Sequence, residues 1–322
     1  MGSKLVCGVV AILALHAATA WCQASYPAKA VRIVVPYAAG GPYDEVARVL
    51  APRLHEIWGQ PVIVDPRGGA GGNLGTDMVA KAPPDGYTLL IGNAGPITIN
   101  ASLYKKLPYD PQKDLAPVTL MMTSPMVLVV HPSVPVKSVK DLVALAKSKP
   151  GRINYASAGV GNLQHLGMEL LQSLAGMKMN HVPYKGAAPA FVDVIGGQVE
   201  LMFANITGAM PHVHSGRLRA AAVSSAKRSP VLPSVPSVAE TYPQFDITTW
   251  MGFFAPGGTP RDIVAKVGDD MRRVLQRPDL RERFAAQGAE VVAAPPAELA
   301  QLIRRETMLY AKVIQQAGIK PE

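Results

Sequence analysis

Val31-Arg32-Ile33-Val34-Val35-Pro36-Tyr37-Ala38-Ala39-Gly40-Gly41-Pro42-Tyr43-Asp44 reads as a buried strand feeding directly into a helix. Val31 to Val35 is a short β-branched run closed by Pro36, which favours strand over helix. From Tyr43 the spacing changes: Val46, Val49, Leu50, Leu54 and Ile57 recur at helical intervals, and Pro42 suits a first helical turn. The joint consists of Tyr and small residues, so the helix's first amides are left uncovered. Free backbone donors at the positive end of a helix dipole favour an anion. A tight turn serving only the fold is the plainer reading of the same residues. A second copy argues for more. Ile153-Asn154-Tyr155-Ala156-Ser157-Ala158-Gly159-Val160-Gly161-Asn162 again runs strand, Tyr, small residues and glycines, and Leu163, Leu166, Leu170, Leu171 and Leu174 follow along one side of a helix. Two such helix starts, one in each half of the chain, predict two lobes facing one carboxylate-bearing ligand.

The length of 322 residues suffices for two α/β lobes, each with its own core. Hydrophobic residues make up 48% and charged residues 17%, a globular balance rather than a disordered one. The formal net charge is +9, which favours encounter with anions. Lys and Arg are scattered with no run beyond a pair, and aromatics are only 6%, so nucleic acid is not an expected partner. Residues 1-24 have the form of a signal peptide: Lys4, an apolar stretch from Val6 to Ala20, then Cys22-Gln23-Ala24 before Ser25, with cleavage after Ala20 as the alternative. Thr19 stands where a lipobox carries an aliphatic residue, so lipidation at Cys22 is not expected. Both cysteines, Cys7 and Cys22, fall in this leader. A mature chain cut after Ala24 has neither disulfide nor thiol chemistry. No later segment reaches eighteen apolar residues. Export to a bacterial periplasm fits these features.

Further along, Pro61 to Asp65 reads as a strand, followed by Arg67-Gly68-Gly69-Ala70-Gly71-Gly72-Asn73-Leu74-Gly75. Leu74 occupies the third glycine position of a dinucleotide loop and no Gly-Lys occurs, so a close-packed or flexible loop opening a helix at 76–81 is expected rather than a phosphate site. Tyr87 to Ile91 is a strand ending at Gly92-Asn93-Ala94. Ligands in open α/β sheets gather at the carboxyl ends of strands, which puts Tyr37–Gly41, the glycine loop and Asn93 around one mouth. Residues 103–118 read as a surface connection, Met126–Val130 as a strand crossing between lobes, and Phe245–Phe254 as the returning strand. The proline-rich segment 229–243 reads as extended surface chain. Helices are expected from Thr259-Pro260 to Leu275, from Pro278 and from Pro296 to Ala317, the last stopped by Gly318.

Catalytic motifs are sparse. Tyr155-Ala156-Ser157-Ala158-Gly159 is half of a nucleophile elbow, and a triad of Ser157, His165 and Asp193 can be drawn on paper. Donation from Ser157 to a bound oxyanion is the better use of that hydroxyl. His212-Val213-His214 lacks the spacing and the neighbouring Cys or carboxylate of a metal site. No metal and no cofactor is expected. Asp44, three residues past Gly41, is placed to accept the helix's free amides or to orient a water or ligand amine.

These blocks, with Pro84-Asp85-Gly86-Tyr87-Thr88-Leu89-Leu90, Leu107-Pro108-Tyr109-Asp110-Pro111, His181-Val182-Pro183-Tyr184-Lys185-Gly186, Gly196-Gly197-Gln198-Val199 and Ala317-Gly318-Ile319-Lys320, stand in an order that resembles the Bug family. Its members are extracytoplasmic solute receptors of tripartite tricarboxylate transporters, and the resemblance spans about Tyr26 to Glu322. It implies an α/β, two-lobed periplasmic-binding-protein (Venus-flytrap) fold with two crossing strands and no enzymatic activity. The expected organisation is a signal peptide at 1-24, a first lobe of 25-124 plus 247-322, and a second lobe of 125-246. The implied ligand is a small carboxylate held largely by backbone amides and waters, and the implied partners are inner-membrane transporter subunits. A monomer is expected. Carried over, Tyr37, Ala38, Gly41 and Asp44 shape one end of the site with Asn93 beside them. Ser157, Gly161, Asn162 and His165 form the other, with Asn205 as a specificity contact. Three positions depart from the family pattern: Pro42-Tyr43 replaces a small pair, Asn162 replaces Ser or Thr, and Ala204-Asn205 replaces an acidic residue. The last favours a mono- or dicarboxylate without an ammonium group. A hydrolase using Ser157 and a ligand-binding sensor are the rival functions.

Overall fold

The computed structural model describes residues 26–321, so the expected leader with its two cysteines lies outside the described residues. The chain opens with β1 (Val31–Val35), α1 (Pro42–Trp58) and β2 (Val62–Pro66). A 3-10 turn at Ala70–Gly72 then leads into α2 (Asn73–Ala80), followed by β3 (Thr88–Gly92). A π-type turn at Gly95–Ile99 and the short α3 (Asn100–Leu103) precede the 16-residue strand β4 (Leu115–Val130). Next come α4 (Val139–Ser148), β5 (Asn154–Ser157), α5 (Leu163–Ala175), β6 (Asn180–Pro183), α6 (Ala187–Ile195), β7 (Leu201–Asn205), α7 (Ile206–His214) and β8 (Arg219–Val223). The chain returns through β9 (Thr248–Pro256), α8 (Arg261–Leu275), α9 (Pro278–Ala286), β10 (Glu290–Ala294) and α10 (Pro296–Gln316).

Local chemistry explains the decisive elements. Pro42 occupies the first turn of α1, where its missing N–H costs nothing, and Gly59 ends the helix in the left-handed region at φ 64. In β1 every residue but Arg32 is buried. Ile33 and Val35 join a core with Leu50 and Leu54 of α1, while Val34 joins the core on the opposite face. A strand covered on both faces shows this unbroken apolar run.

The strands follow the order β2-β1-β3-β9-β4-β7-β5-β6, with β10 and β8 also pairing to β4. β2, β1 and β3 are mutually parallel, and β5 lies parallel to both β6 and β7. These two parallel sets are the cores of two lobes, and β4 belongs to both. Its Leu115–Pro125 portion pairs antiparallel with β9, whereas Met126–Val130 pairs antiparallel with β7. The second crossing, just before β9, is bound to the first through Ser224. The Met126 amide donates to Ser224 Oγ (2.8 Å), that hydroxyl donates to Ile247 O (2.5 Å), and the backbone of Ser224 bonds both Met126 and Ile247 at 2.9 Å.

Several expectations need correction. Residues 115–118, read as surface connection, are the start of β4, and the crossing strand is far longer than Met126–Val130. Pro117 and Pro125 within it conceal the pattern; the ladder with β9 shifts register between Pro117 and Thr119, a bulge that accommodates the missing donor. The returning strand starts at Thr248 rather than Phe245. α2 starts at Asn73 instead of Thr76 because the glycines turn tightly enough to let the helix begin early. β10 was not foreseen: it is short and pairs only with β4.

Ser224 is fully buried. Ser224→Ala leaves the Met126 amide and a lone pair of Ile247 O without this partner, so it should cost about 1–3 kcal/mol, read as a lower midpoint in urea unfolding.

Candidate functional site

A cavity of about 370 Å³ lies between the lobes. One wall is built by Tyr37 at the exit of β1, Tyr43 in the first turn of α1, Asn93 after β3 and Gly71 of the glycine loop. The other wall is Ala158 to Gln164, the loop after β5 and the start of α5, with Asn205 at the end of β7. Thr249 and Trp250 of β9 line it, as do Ile319 and Lys320 just beyond α10. Above α3 the lobes approach across the mouth, and a Cβ placed on Gly161 would stand 2.4 Å from Leu103 Cδ1.

The first wall is a closed polar group. Tyr37 donates to Asn93 Oδ1 (2.8 Å) and Asn93 Nδ2 donates to Tyr43 Oη (2.6 Å), with the two rings 4.7 Å apart. Tyr43 Oη therefore accepts within the group and keeps its own proton to offer elsewhere. Burial pushes the Tyr43 hydroxyl up to about 12 and raises Tyr37 further, so both stay protonated donors. Gly72, at φ 95, brings the glycine loop against this group; a Cβ there would lie 3.2 Å from Tyr37 Oη. The loop is thus close-packed, and its glycines serve approach rather than phosphate binding.

On the second wall the loop's own side chains take up amides that the sequence leaves free. Gln164 Oε1 accepts from Ala158 N (2.8 Å), Ser157 Oγ from Gly159 N (3.2 Å) and His165 Nδ1 from Gly161 N (3.0 Å). Asn162 caps α5 by accepting from His165 N at 2.9 Å. Leu163 and Gln164 are the first two residues of α5, so their amides have no intrahelical acceptor, and both residues line the cavity.

Of the ten residues named from sequence, the structure brings Tyr37, Asn93, Gly161, Asn162 and Asn205 to the cavity wall. Ala38 and Gly41 sit on the joint but off that wall, which Tyr37 and Tyr43 line instead. Asp44 is buried and turned back: its Oδ2 accepts from Gly40 N (2.9 Å) and Arg48 Nε (2.8 Å), not from the amides of its own helix. Those two donors, Arg48 foremost, hold its carboxyl below the usual range. Ser157 and His165 lie behind the loop. The Ser157 hydroxyl is bonded to His181 Nε2 (2.7 Å), and the His165 and His181 rings stack at 3.8 Å. Burial depresses His165 to about 3 and His181 to about 4, so both rings are neutral and His165 Nδ1 remains an acceptor for Gly161.

The drawn triad does not form. Ser157 is fully buried, its partner is His181 rather than His165, and Asp193 is bonded to Tyr184 Oη at 2.5 Å. Among the described residues no cluster of His, Cys, Asp and Glu could hold a metal, and no helix is long and apolar enough to cross a membrane.

Residues missed in the sequence are Tyr43, Gln164, Trp250 and Lys320. Tyr43 and Gln164 were marked by their place in the first turn of a helix already judged anion-ready. Lys320 was marked by following the helix-stopping Gly318. Trp250 gave no signal, since its place depends on Glu306, whose Oε2 accepts from Trp250 Nε1 (2.8 Å) and from Thr98 Oγ1 (3.3 Å). A larger groove of about 1030 Å³ between α9, β10, α10 and the 225–231 loop mixes Arg281 and Arg304 with Glu290 and Glu298 and touches neither strand–helix joint.

Two outcomes follow from this geometry. Gly161→Ala sets a methyl into Leu103 at a residue held at φ 72, so the free protein should lose about 1 kcal/mol or more, read as a lower melting temperature, and ligand affinity should fall by about tenfold or more. Burial raises Glu306 from 4.5 to about 7. Its folded pKa exceeds the unfolded one, so its contribution is fully present below pH 4.5 and is lost as pH rises through about 7. Glu306→Gln keeps an acceptor for Trp250 and removes the ionisation, so its melting temperature relative to wild type should climb between about pH 5 and about pH 8.

Residues 46–319 match the family described as "Tripartite tricarboxylate transporter family receptor". Protein BugT of Bordetella pertussis is 39% identical over 319 residues, covering 97% of this chain and 98% of that protein. The solved structure of R. palustris Rpa4515 with adipate is 35% identical with a TM-score of 0.79, covering 92% of this chain and 100% of that one. MatC from Rhodopseudomonas palustris, with bound malate, is 35% identical with a TM-score of 0.74 over 90% of this chain and 100% of its own. The two-lobed architecture, the cavity between the lobes and these matches agree, and the chain belongs to the tripartite tricarboxylate transporter receptor family: it is a Bug-type solute receptor, not an enzyme.

Proposed function

We propose that this protein is a periplasmic receptor that closes on a small organic carboxylate and hands it to inner-membrane transporter subunits. The observation that carries the choice of ligand is the charge of the cavity wall. Lys320 is its one charged side chain among the described residues, and no Asp or Glu lines it. An amino acid or amine would find no carboxylate to pair its ammonium, whereas an anion finds a cation, the Tyr43 hydroxyl and the first amides of α5. The adipate and malate held by relatives at 35% identity support the same class.

Within this reading, Tyr37, Asn93, Asn162 and Asn205 face the ligand together with the Leu163 and Gln164 amides. Ala38, Gly41 and Asp44 shape the joint behind Tyr37, while Ser157 and His165 hold the loop that carries Gly161. The lobes comprise 25–124 plus 247–322 and 125–246, supported by the change of β4 partners at Pro125–Met126 and by the Ser224 bonds to Ile247. Closure is a hinge motion there, and a ligand touching both walls stabilises the closed state by its differential contacts. Export rests on the form of residues 1–24. A monomer suffices, since one chain supplies both walls of the cavity.

The test is a thermal-shift and calorimetric screen of the mature protein after endogenous ligand has been stripped. At a hundredfold excess over Kd, a bound carboxylate adds about 2.7 kcal/mol, a shift on the order of 5 °C. Shifts from neutral sugars or amino acids, with none from mono- or dicarboxylates, would overturn the assignment.

A further inference from the structure

We infer that one end of the second lobe is a docking surface for an anionic phospholipid membrane, carried by Lys140, Lys147, Lys149, Arg152 and Lys178. This goes beyond the ligand reading above and does not depend on it.

The fold gathers cations that the sequence spaces apart. In α4, Val139, Leu142 and Ala146 are buried, which leaves Lys140 and Lys147 exposed two turns apart on the outer side. The turn after the helix adds Lys149 and Arg152, both exposed. Lys178, also exposed, is brought to the same place by the backbone. The Gly151 amide donates to Lys178 O (2.9 Å) and the Asn180 amide to Ile153 O (2.8 Å), so the chain before β6 runs alongside the chain before β5. Among the described residues none of the five cations is held in an ion pair. Asp141 is the only acid between Lys137 and Arg152, and its Oδ2 is turned to the helix start, where it accepts from the Lys137 amide (2.9 Å).

Composition and position choose the occupant. Protein interfaces are rich in aromatic residues and Arg and poor in Lys. Here all but one of the five cations are Lys, and no large apolar side chain is exposed within 137–152 or 176–180. Lysine ammoniums are hydrated point charges that need no fixed acceptor geometry, which suits a fluid array of phosphate headgroups. Each cation held near such a surface strengthens binding about fivefold. The patch precedes β5 and β6, whereas the Ala158–Gln164 wall of the cavity follows the other end of β5. A receptor resting on this patch therefore keeps its cavity clear of the lipid.

The experiment is sedimentation of the mature protein with phosphatidylcholine vesicles, either pure or containing about one-third phosphatidylglycerol. Wild type should pellet with the anionic vesicles only and be released as salt rises. Lys147→Gln/Lys149→Gln/Lys178→Gln should bind them about tenfold more weakly or worse. Lys106→Gln/Lys113→Gln/Lys312→Gln makes the same change of net charge on other surfaces and should bind like wild type. All six positions are exposed, so both variants should keep the wild-type circular dichroism, melting temperature and carboxylate affinity. Failure of wild type to bind anionic vesicles overturns the inference. So do undiminished binding by the first variant and equal losses in the two, the latter tracing the effect to net charge alone. Binding to polyglutamate without binding to the anionic vesicles would assign the patch to an acidic protein and overturn it as well. None of these outcomes bears on the carboxylate assignment.

Discussion

A single strand shared by two lobes is the constraint on which the rest depends. β4 pairs with β9 over its first eleven residues, Leu115–Pro125, and with β7 over the remainder, so neither lobe can complete its sheet without the other. Ser224 then ties the second crossing to the first with a buried hydroxyl that accepts from Met126 N and donates to Ile247 O. Two adjacent strands bound in this way fix the junction between the lobes. The two strand–helix joints are thereby kept facing each other, and the space between them is the cavity.

That cavity is polar in a particular way. Burying an anion requires donors already in place, because a donor left unpaired in the empty site is costly. The chain handles most of its exposed loop amides internally: Ala158, Gly159 and Gly161 are satisfied by Gln164, Ser157 and His165. The neutral state of the stacked His165 and His181 belongs to this arrangement, since a protonated His165 would lose its acceptor nitrogen. What the cavity wall leaves uncommitted, among the described residues, is a narrower set: the first amides of α5, the Tyr43 proton and the Lys320 ammonium. The Glu306–Trp250 bond sets an aromatic wall beside them at the cost of a buried carboxyl, whose pKa rises accordingly.

Much of the fold was legible locally. The β-branched run 31–35, the helical spacing from Tyr43 and its repetition at 153–174 identified the paired joints and the two lobes. The glycine loop was read as close-packed or flexible, and the structure packs it against Tyr37 and Pro96. What escaped was the length of β4, masked by Pro117 and Pro125, and the strand β10, whose four apolar or small residues carry no period of their own. For the site, Tyr37, Asn93, Gly161, Asn162 and Asn205 were named and reach the cavity, whereas Asp44, Ser157 and His165 turned out to bond inward.

The division has a physical basis. By itself the sequence determined most of the strands and helices, where helices begin with uncovered amides, and that two such beginnings exist, because these follow from patterns a few residues long. Only the tertiary structure decided which amides stay free, which histidine meets Ser157, and that Lys320 lines the same cavity as Trp250. The meeting of Ser157 with His181 from the neighbouring strand, and the placement of Lys320 and Trp250 on one cavity, depend on segments the fold brings together, and short-range patterning carries no information about such partners.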